Sequence, residues 1–267
     1  MVMTSKTGCT ECQSRTRATL GIAKQYHIDL SKDDVGGYAL LPGDPARSDI
    51  VAKYLDDAVL VGHKREHKSF SGFYKSIKVT VCSTGMGCPS AAIAMEELAN
   101  IGVHTFIRIG SSAALKPDIK IGDLVINTAS MKNEGTSKFY VPDNFPAVAD
   151  LDVTHALIQT AREMLADTDI GVHWGIGATD DAFYGETPEW FDDLVKLGVM
   201  NVEMEASALY TIGHKRNLRA ACICAASMNH VNQEFIEGEN VRLKQGWEEE
   251  IKVVLETIYR LEQQAKN

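Results

Sequence analysis

No apolar run in the 267 residues approaches the roughly 20 needed to span a bilayer. The polar start MVMTSKTGCTECQSR also lacks the apolar core of a signal peptide. These two absences argue against a membrane partner and lead to the expectation of a soluble, cytoplasmic protein. Positive charge is short as well: 27 Lys plus Arg stand against 36 Asp plus Glu, for a net charge of -9. That is the wrong sign for a chain whose main task is gripping nucleic acid, so any basic group that matters must act locally. There is no internal repeat and no low-complexity linker. Disulfide spacing is missing too. Of the 6 cysteines, Cys82, Cys88, Cys222 and Cys224 sit in apolar segments, which suits reduced thiols. Cys9 and Cys12 form a lone C-x-x-C, half of a tetrahedral zinc site, so no metal is expected. Residues 1–20 read as a flexible leader and 21–267 as one domain, a common size for a single α/β unit.

What is present is an alternation of short β-branched runs with helical patterns, the signature of α/β architecture. Strands are expected at YALLP, AVLVG, KVTVCST, TFIRIG, DLVINTAS, IGVHWGIGAT and RAACICAASM. Helices are expected from about Pro45 to Leu55, Pro89 to Asn100, through VTHALIQTAREMLA, from Pro188 to Leu197, from Glu205 through SALYTIGHKR, and over WEEEIKVVLETIYRLEQQ. Residues 131–150 read as a loop. The last helix carries Ile251, Val254, Leu255, Ile258 and Leu261 on one stripe and is read as core packing.

The loops at strand ends carry the chemistry, because open α/β sheets bind ligands outside the carboxyl ends of their strands. In PGDPAR, Gly43 admits a close ligand, Pro45 suits the first turn of a helix, and Arg47 projects from that turn. Neither usual nucleotide loop occurs: G-x-x-x-x-G-K-[ST] is absent, and GMGCPS is not G-x-G-x-x-G. In FIRIGSSAAL, Arg108 interrupts an apolar strand, where a charge is costly unless matched. The following Gly-Ser-Ser offers backbone donors and hydroxyls, so the missing partner reads as an anionic ligand. Arg47, Arg108, Ser111 and Ser112 could together hold a tetrahedral oxyanion, phosphate being the natural candidate. The competing reading is an internal ion pair for Arg108. In NVEMEAS, Glu203 and Glu205 flank Met204 where a strand turns into a helix; one acid suits a first helical turn, and a second could accept both hydroxyls of a sugar diol.

In combination these segments resemble the nucleoside phosphorylase family and are similar, within it, to the uridine phosphorylases. The resemblance runs from about Tyr26 to the final helix, through YHIDLSKDDVGGYALLPGDPAR, HKREH, VCSTGMGCPSAAIAMEELANIGVHTFIRIGSSAAL, EGTSKFYVPDNFPAVADLDVTHAL, DDAFYG and NVEMEASAL. It implies a three-layer α/β/α fold around a mixed, partly barrel-like sheet. It also implies phosphorolysis of the nucleoside glycosidic bond to free base and ribose 1-phosphate, with phosphate as co-substrate and no cofactor. By position, Gly43, Arg47, Arg108 and Ser111 match phosphate-binding residues. Arg65 matches an arginine that reaches the neighbouring subunit's phosphate, and His27 a histidine given across the same interface to the ribose. A homodimer sharing its sites, or a hexamer of three dimers, is therefore expected, with a monovalent cation near Glu66 in some relatives. Met204 and Glu205 match ribose contacts, and Phe183 the aromatic that packs on sugar and base. His63, His67, His155 and His173 are read as ordinary.

The base side departs from the family pattern. The segment FYGETPEWFDDLVKLGV is short, lacks the family's arginine, and places Glu186 near a glutamine that reads pyrimidine. A carboxylate accepts only, whereas uracil presents two carbonyls around one N–H, and guanine or hypoxanthine offers N–H donors. Purine-selective relatives carry an aspartate after the last strand; here Asn229 is followed by His230, which could supply a proton. Ala113 stands where glycine is usual and narrows the pocket floor. The base-side candidates are thus Ser112, Phe183, Glu186, Asn229 and His230; the catalytic ones are Arg108, Glu205 and His230. Uridine is the default substrate and guanosine or inosine the alternative. A hydrolytic nucleosidase and a non-catalytic nucleoside-binding protein remain as competitors, the first opposed by the three arginines and the second by Glu205.

Overall fold

Alternation along one strand decides the layering. In β1 (Tyr38–Pro42) every residue is buried, with Tyr38 and Leu40 in one apolar cluster and Ala39 and Leu41 in another. A strand covered on both faces belongs in the middle of a three-layer stack. The computed structural model describes residues 24–236 and 238–266. The leader expected over 1–20, with Cys9 and Cys12, lies outside them.

One outer layer holds α1 (Pro45–Ala52), α3 (Leu151–Met164) and α6 (Val241–Gln264). Their Val51, Val153, Leu157, Ile251 and Val254 cluster with Leu40, Ile107 and Ile109. The other holds α2 (Cys88–Asn100) and α5 (Ala206–Arg216), through Met95, Leu98, Leu209 and Tyr210.

The remaining strands are β2 (Asp56–Lys64), β3 (His67–Tyr74), β4 (Ile77–Cys82), β5 (Thr105–Ala114), β6 (Leu124–Asn133), β7 (Ala147–Val148), β8 (Val172–Asp180), β9 (Asn201–Glu203) and β10 (Arg219–Asn229). β5 pairs in parallel with β1 and β10 and antiparallel with β9, while β10 returns through β6 and β8 to β9. Five strands therefore close into a mixed barrel, and β1, β4, β3 and β2 extend from it as an open wing. The partly barrel-like sheet implied by the family resemblance is present.

Local chemistry sets the helix starts. The side chains of Asp44, Asp150 and Asn240 accept backbone N–H groups at the first turns of α1, α3 and α6. Asn217 closes α5 in the left-handed conformation, φ 55. Three expectations shift. α6 begins at Val241, six residues before Trp247, because Asn240 caps it there. The loop at 131–150 is interrupted by β7. Strand β3 had no apolar alternation to announce it: its inward positions are His67, Ser69 and Ser71, and Ser71 bonds Thr80 at 3.0 Å instead of packing.

Candidate active site

Arg108 occupies the centre of the sheet, registered with Leu41 of β1 on one side and Cys222 of β10 on the other. It is 5% exposed. Its Nε donates to Glu203 Oε2 at 2.7 Å, and its Nη2 pairs with Glu205 Oε2. The sequence reading gave this guanidinium an anionic ligand as partner; the fold gives it two carboxylates first. Burial opposes its charge, yet Glu205 and Glu203 together raise its pKa well above the ordinary value.

The two acids differ in how fully they are used. Glu203 accepts from Thr179 Oγ1–H at 2.5 Å and from the N–H groups of Glu205 and Ala206 at 2.8 and 2.9 Å, besides Arg108. It is a saturated anchor holding Arg108 and the start of α5. Glu205, 2% exposed, accepts from the Gly87 N–H at 2.6 Å. Gly87, the residue before α2, has φ 90, which a side chain would strain, and its N–H points to the acid. Burial raises the Glu205 pKa, with Arg108 working against it. Cys88 donates its thiol to the Met204 carbonyl at 3.3 Å, tying the loop before α2 to the one before α5.

The loop after β1 lies alongside. Gly43 O accepts from Gly85 N at 3.0 Å and Pro42 O from Thr84 N at 2.8 Å, which joins the ends of β1 and β4. Arg47, 7% exposed, stands in the first turn of α1 and pairs with Glu250 Oε2 at 2.5 Å. Arg47 Nε and Ser112 Oγ are buried with no hydrogen-bond partner. Ser111 Oγ accepts from Trp247 Nε1–H at 2.9 Å. Since that bond fills a lone pair on the oxygen, the Ser111 hydroxyl hydrogen is left to donate elsewhere.

The base-side candidates stand farther out. Phe183 is 57% exposed in a 3-10 turn (Phe183–Gly185). Glu186 is half-buried; burial first and Asp180 second push its carboxyl up to about 7. His230 stacks on Phe191 of α4 (Pro188–Lys196), with centroids 4.5 Å apart, and lies 3.5 Å from Asp192 Oδ1. Asn229 is fully buried. Both its amide hydrogens go to carbonyls, Lys116 O at 2.8 Å and Ile119 O at 2.7 Å, and its Oδ1 accepts from Asn232 N. The donor that the sequence reading offered to a purine N7 is therefore already spent on holding the loop after β10.

Two candidates are not gathered with the rest. His27 Nδ1 lies 2.7 Å from Glu97 Oε1, over a cavity of ≈ 480 Å³ lined also by Tyr26, Glu96 and Tyr140. Glu97 follows Gly87 by ten residues along α2, a rise of about 15 Å. Arg65 is exposed at the β2–β3 turn in the left-handed conformation, φ 55, and makes no ion pair among the described residues. Its neighbour Glu66 accepts from Ser90 Oγ at 2.7 Å. No group of three or more His, Cys, Asp or Glu among the described residues is arranged to hold a metal ion. None of the helices there is long and apolar enough to cross a membrane.

Sequence reasoning missed Glu250 and Trp247. The signal was there: Glu250 is a carboxylate set among Leu243, Ile251 and Val254 on the buried stripe of the last helix.

Buried Arg47 with an orphaned Nε, buried Arg108 on β5 and buried Glu205 beyond β9 form a charged set able in kind to hold an oxyanion and a polyol, on a partly closed α/β barrel. The chain belongs to the phosphorylase superfamily, whose profile matches residues 38–258. It is 43% identical over 249 residues to the uridine phosphorylase of Thermococcus kodakarensis, covering 85% of this chain and 88% of that one. It is 39% identical over 245 residues to the guanosine phosphorylase of Halorubrum lacusprofundi, covering 90% of this chain and all of the other. Among solved structures, uridine phosphorylase from Vibrio fischeri superposes with a TM-score of 0.80 at 31% identity, over 90% of this chain and 98% of that one.

Proposed function

We infer that the protein is a nucleoside phosphorylase, a pentosyltransferase that cleaves the N-glycosidic bond of a nucleoside with inorganic phosphate. One observation carries this reading: Arg47 in the first turn of α1 and Arg108 within β5 are both buried, with the Ser112 hydroxyl unpartnered and Glu205 paired to Arg108. Nothing in hydrolysis calls for such a set, and binding alone has no need of Glu205.

The arginines, Ser111 and the Gly43 backbone hold phosphate; Glu205 and Met204 hold the ribose. As the glycosidic bond stretches, positive charge builds on the sugar, and the phosphate oxygen beneath it attacks the anomeric carbon. Glu205, locked between Gly87 N–H and Arg108, fixes the diol so that this attack is in line. Positioning and preorganised charge of this kind supply most of the barrier reduction. The base leaves as its negative charge is stabilised, and His230 is the proton donor proposed for that step.

Uridine is the first substrate reading, supported by the relatives. Glu186 supports guanosine or inosine as the second: an ionised carboxylate accepts from purine N1–H and repels uracil carbonyls. His27 and Arg65, standing apart from the arginine pair, fit a dimer in which each is lent to the other copy's site, with the cation near Glu66 part of that interface. The four buried free thiols Cys82, Cys88, Cys222 and Cys224 suit the cytoplasm. Release of base from uridine, thymidine, cytidine, guanosine, inosine and adenosine, each with and without phosphate, tests the reading. Phosphate-dependent release is the expected result, and release unchanged without phosphate would sink it.

A further inference from the structure

The C-terminal helix touches the oxyanion site with more than packing. Glu250 is fully buried; its Oε2 accepts from Arg47 Nη2 at 2.5 Å and its Oε1 from the Gly110 N–H at 2.7 Å. About one turn earlier, Trp247 donates to Ser111 Oγ at 2.9 Å and carries the Arg47 guanidinium over its ring, 5.1 Å from the centroid. One face of α6 thus fixes Arg47, Gly110 and Ser111 together.

The local charges make this arrangement consequential. Arg47 and Arg108 are matched by three buried carboxylates, Glu203, Glu205 and Glu250. A dianion entering there would meet no surplus of positive charge. Something must yield. Glu203 is saturated by three further donors and cannot, and Glu205 is committed to the ribose. Glu250 has one partner on each oxygen, and only the Arg47 contact needs its negative charge.

We propose that Glu250 is a proton-linked positioning residue of this site: when a tetrahedral dianion binds, Glu250 Oε2 takes one proton from solvent, and Arg47, freed from that oxygen, turns its charge to the ligand. The proposal rests on the phosphorolysis reading. No bond to the ligand is made, Arg47 keeps its own proton, and Oε1 keeps the Gly110 N–H. Burial pushes the Glu250 carboxyl up to about 7, against the pull of Arg47 from α1, the Gly110 N–H and Arg108 from β5. From β10 and α3 the helix meets apolar side chains, Ile223, Ala225, Val153 and Leu157. The proton is therefore available at neutral pH.

Sulfate is the suitable probe, since unlike phosphate it does not titrate in this range. Calorimetric titration with sulfate at pH 7.5, in two buffers of different ionisation enthalpy, reads proton uptake directly. Inhibition of base release by sulfate from pH 6 to 8.5 reads the linkage. The wild type is expected to take up about half to one proton per sulfate, with binding weakening by up to about tenfold per pH unit above pH 7. Glu250→Gln should show neither. No uptake in the wild type overturns the proposal whatever the variant does, and uptake retained in Glu250→Gln overturns it by assigning the proton to Glu205. If sulfate does not bind and base release ignores phosphate, the phosphorolysis reading itself fails and takes this proposal with it.

Discussion

The two halves of the cleft are built on different principles. The half proposed to hold oxyanion and ribose is assembled around β1, β4, β5 and β9, and its charged side chains are almost entirely buried and paired across 95 to 203 positions of sequence. The half proposed to read the base is made of the Asp180–Asp192 segment and the loop after β10, with Phe183 and Tyr184 open to solvent. A buried ionic lattice is expensive to rearrange, since removing one member strands another charge. An exposed loop can change residue by residue at little cost in stability. On the proposed assignment, the reaction is fixed in the half that cannot drift, and the choice of base is left to the half that can.

The largest effect should come from breaking the lattice at its centre. Arg108→Gln leaves Glu203 and Glu205 buried without their cation, so the expected loss is about 3 to 5 kcal/mol of stability. Phosphate-dependent kcat/KM should fall by about a thousandfold or more. Arg47→Gln sharpens the contrast: activity should drop by about a hundredfold or more, while stability falls less, because Glu250 can take a proton near neutral pH once its partner is gone. Thermal unfolding and steady-state kinetics at pH 7 read both. Equal destabilisation by the two variants would mean that Glu250 is held ionised by something other than Arg47.

The physical origin of each half also decides how legible it was. Alternating runs of apolar residues announced an α/β architecture, because apolar patterning is a local property of each strand and helix, while the three layers were implied by the family resemblance. Strand β3 escaped because serines, bonded to neighbours, occupy its inward positions. Arg108 could be singled out in an apolar strand, but its ion pair could not, since the acids that meet it lie 95 and 97 residues away and only the closed barrel brings them there. Asn229 shows the converse. Its residue type and place beside His230 suggested base reading, and only in the fold do Lys116, Ile119 and Asn232 use up its amide.

A smaller effect, in the base half, concerns selectivity with pH. Glu186 is raised to about 7, so it is protonated and able to donate below that pH, and an acceptor-only carboxylate above it. As a neutral acid it can donate to a uracil carbonyl while accepting the N3–H; as an anion it favours the purine N1–H. The guanosine-to-uridine ratio of kcat/KM should therefore climb several-fold from pH 6 to pH 8. Glu186→Gln, neutral throughout, should flatten that slope and favour uridine. A ratio insensitive to pH in the wild type would place Glu186 outside the base contacts.

The smallest effect on turnover is expected where the two principles meet. Asn229 lies within the base half but is buried and saturated like a member of the other. Asn229→Ala strands two carbonyls and one N–H, which costs about 1 to 3 kcal/mol and should lower the unfolding temperature. The base preference measured on the folded enzyme should stay the same, because no free donor of Asn229 faces the cleft. A changed ranking of uridine against guanosine in that variant would show that the loop it seats, through His230 on Phe191, reads the base by its position and is as much a part of selectivity as Glu186.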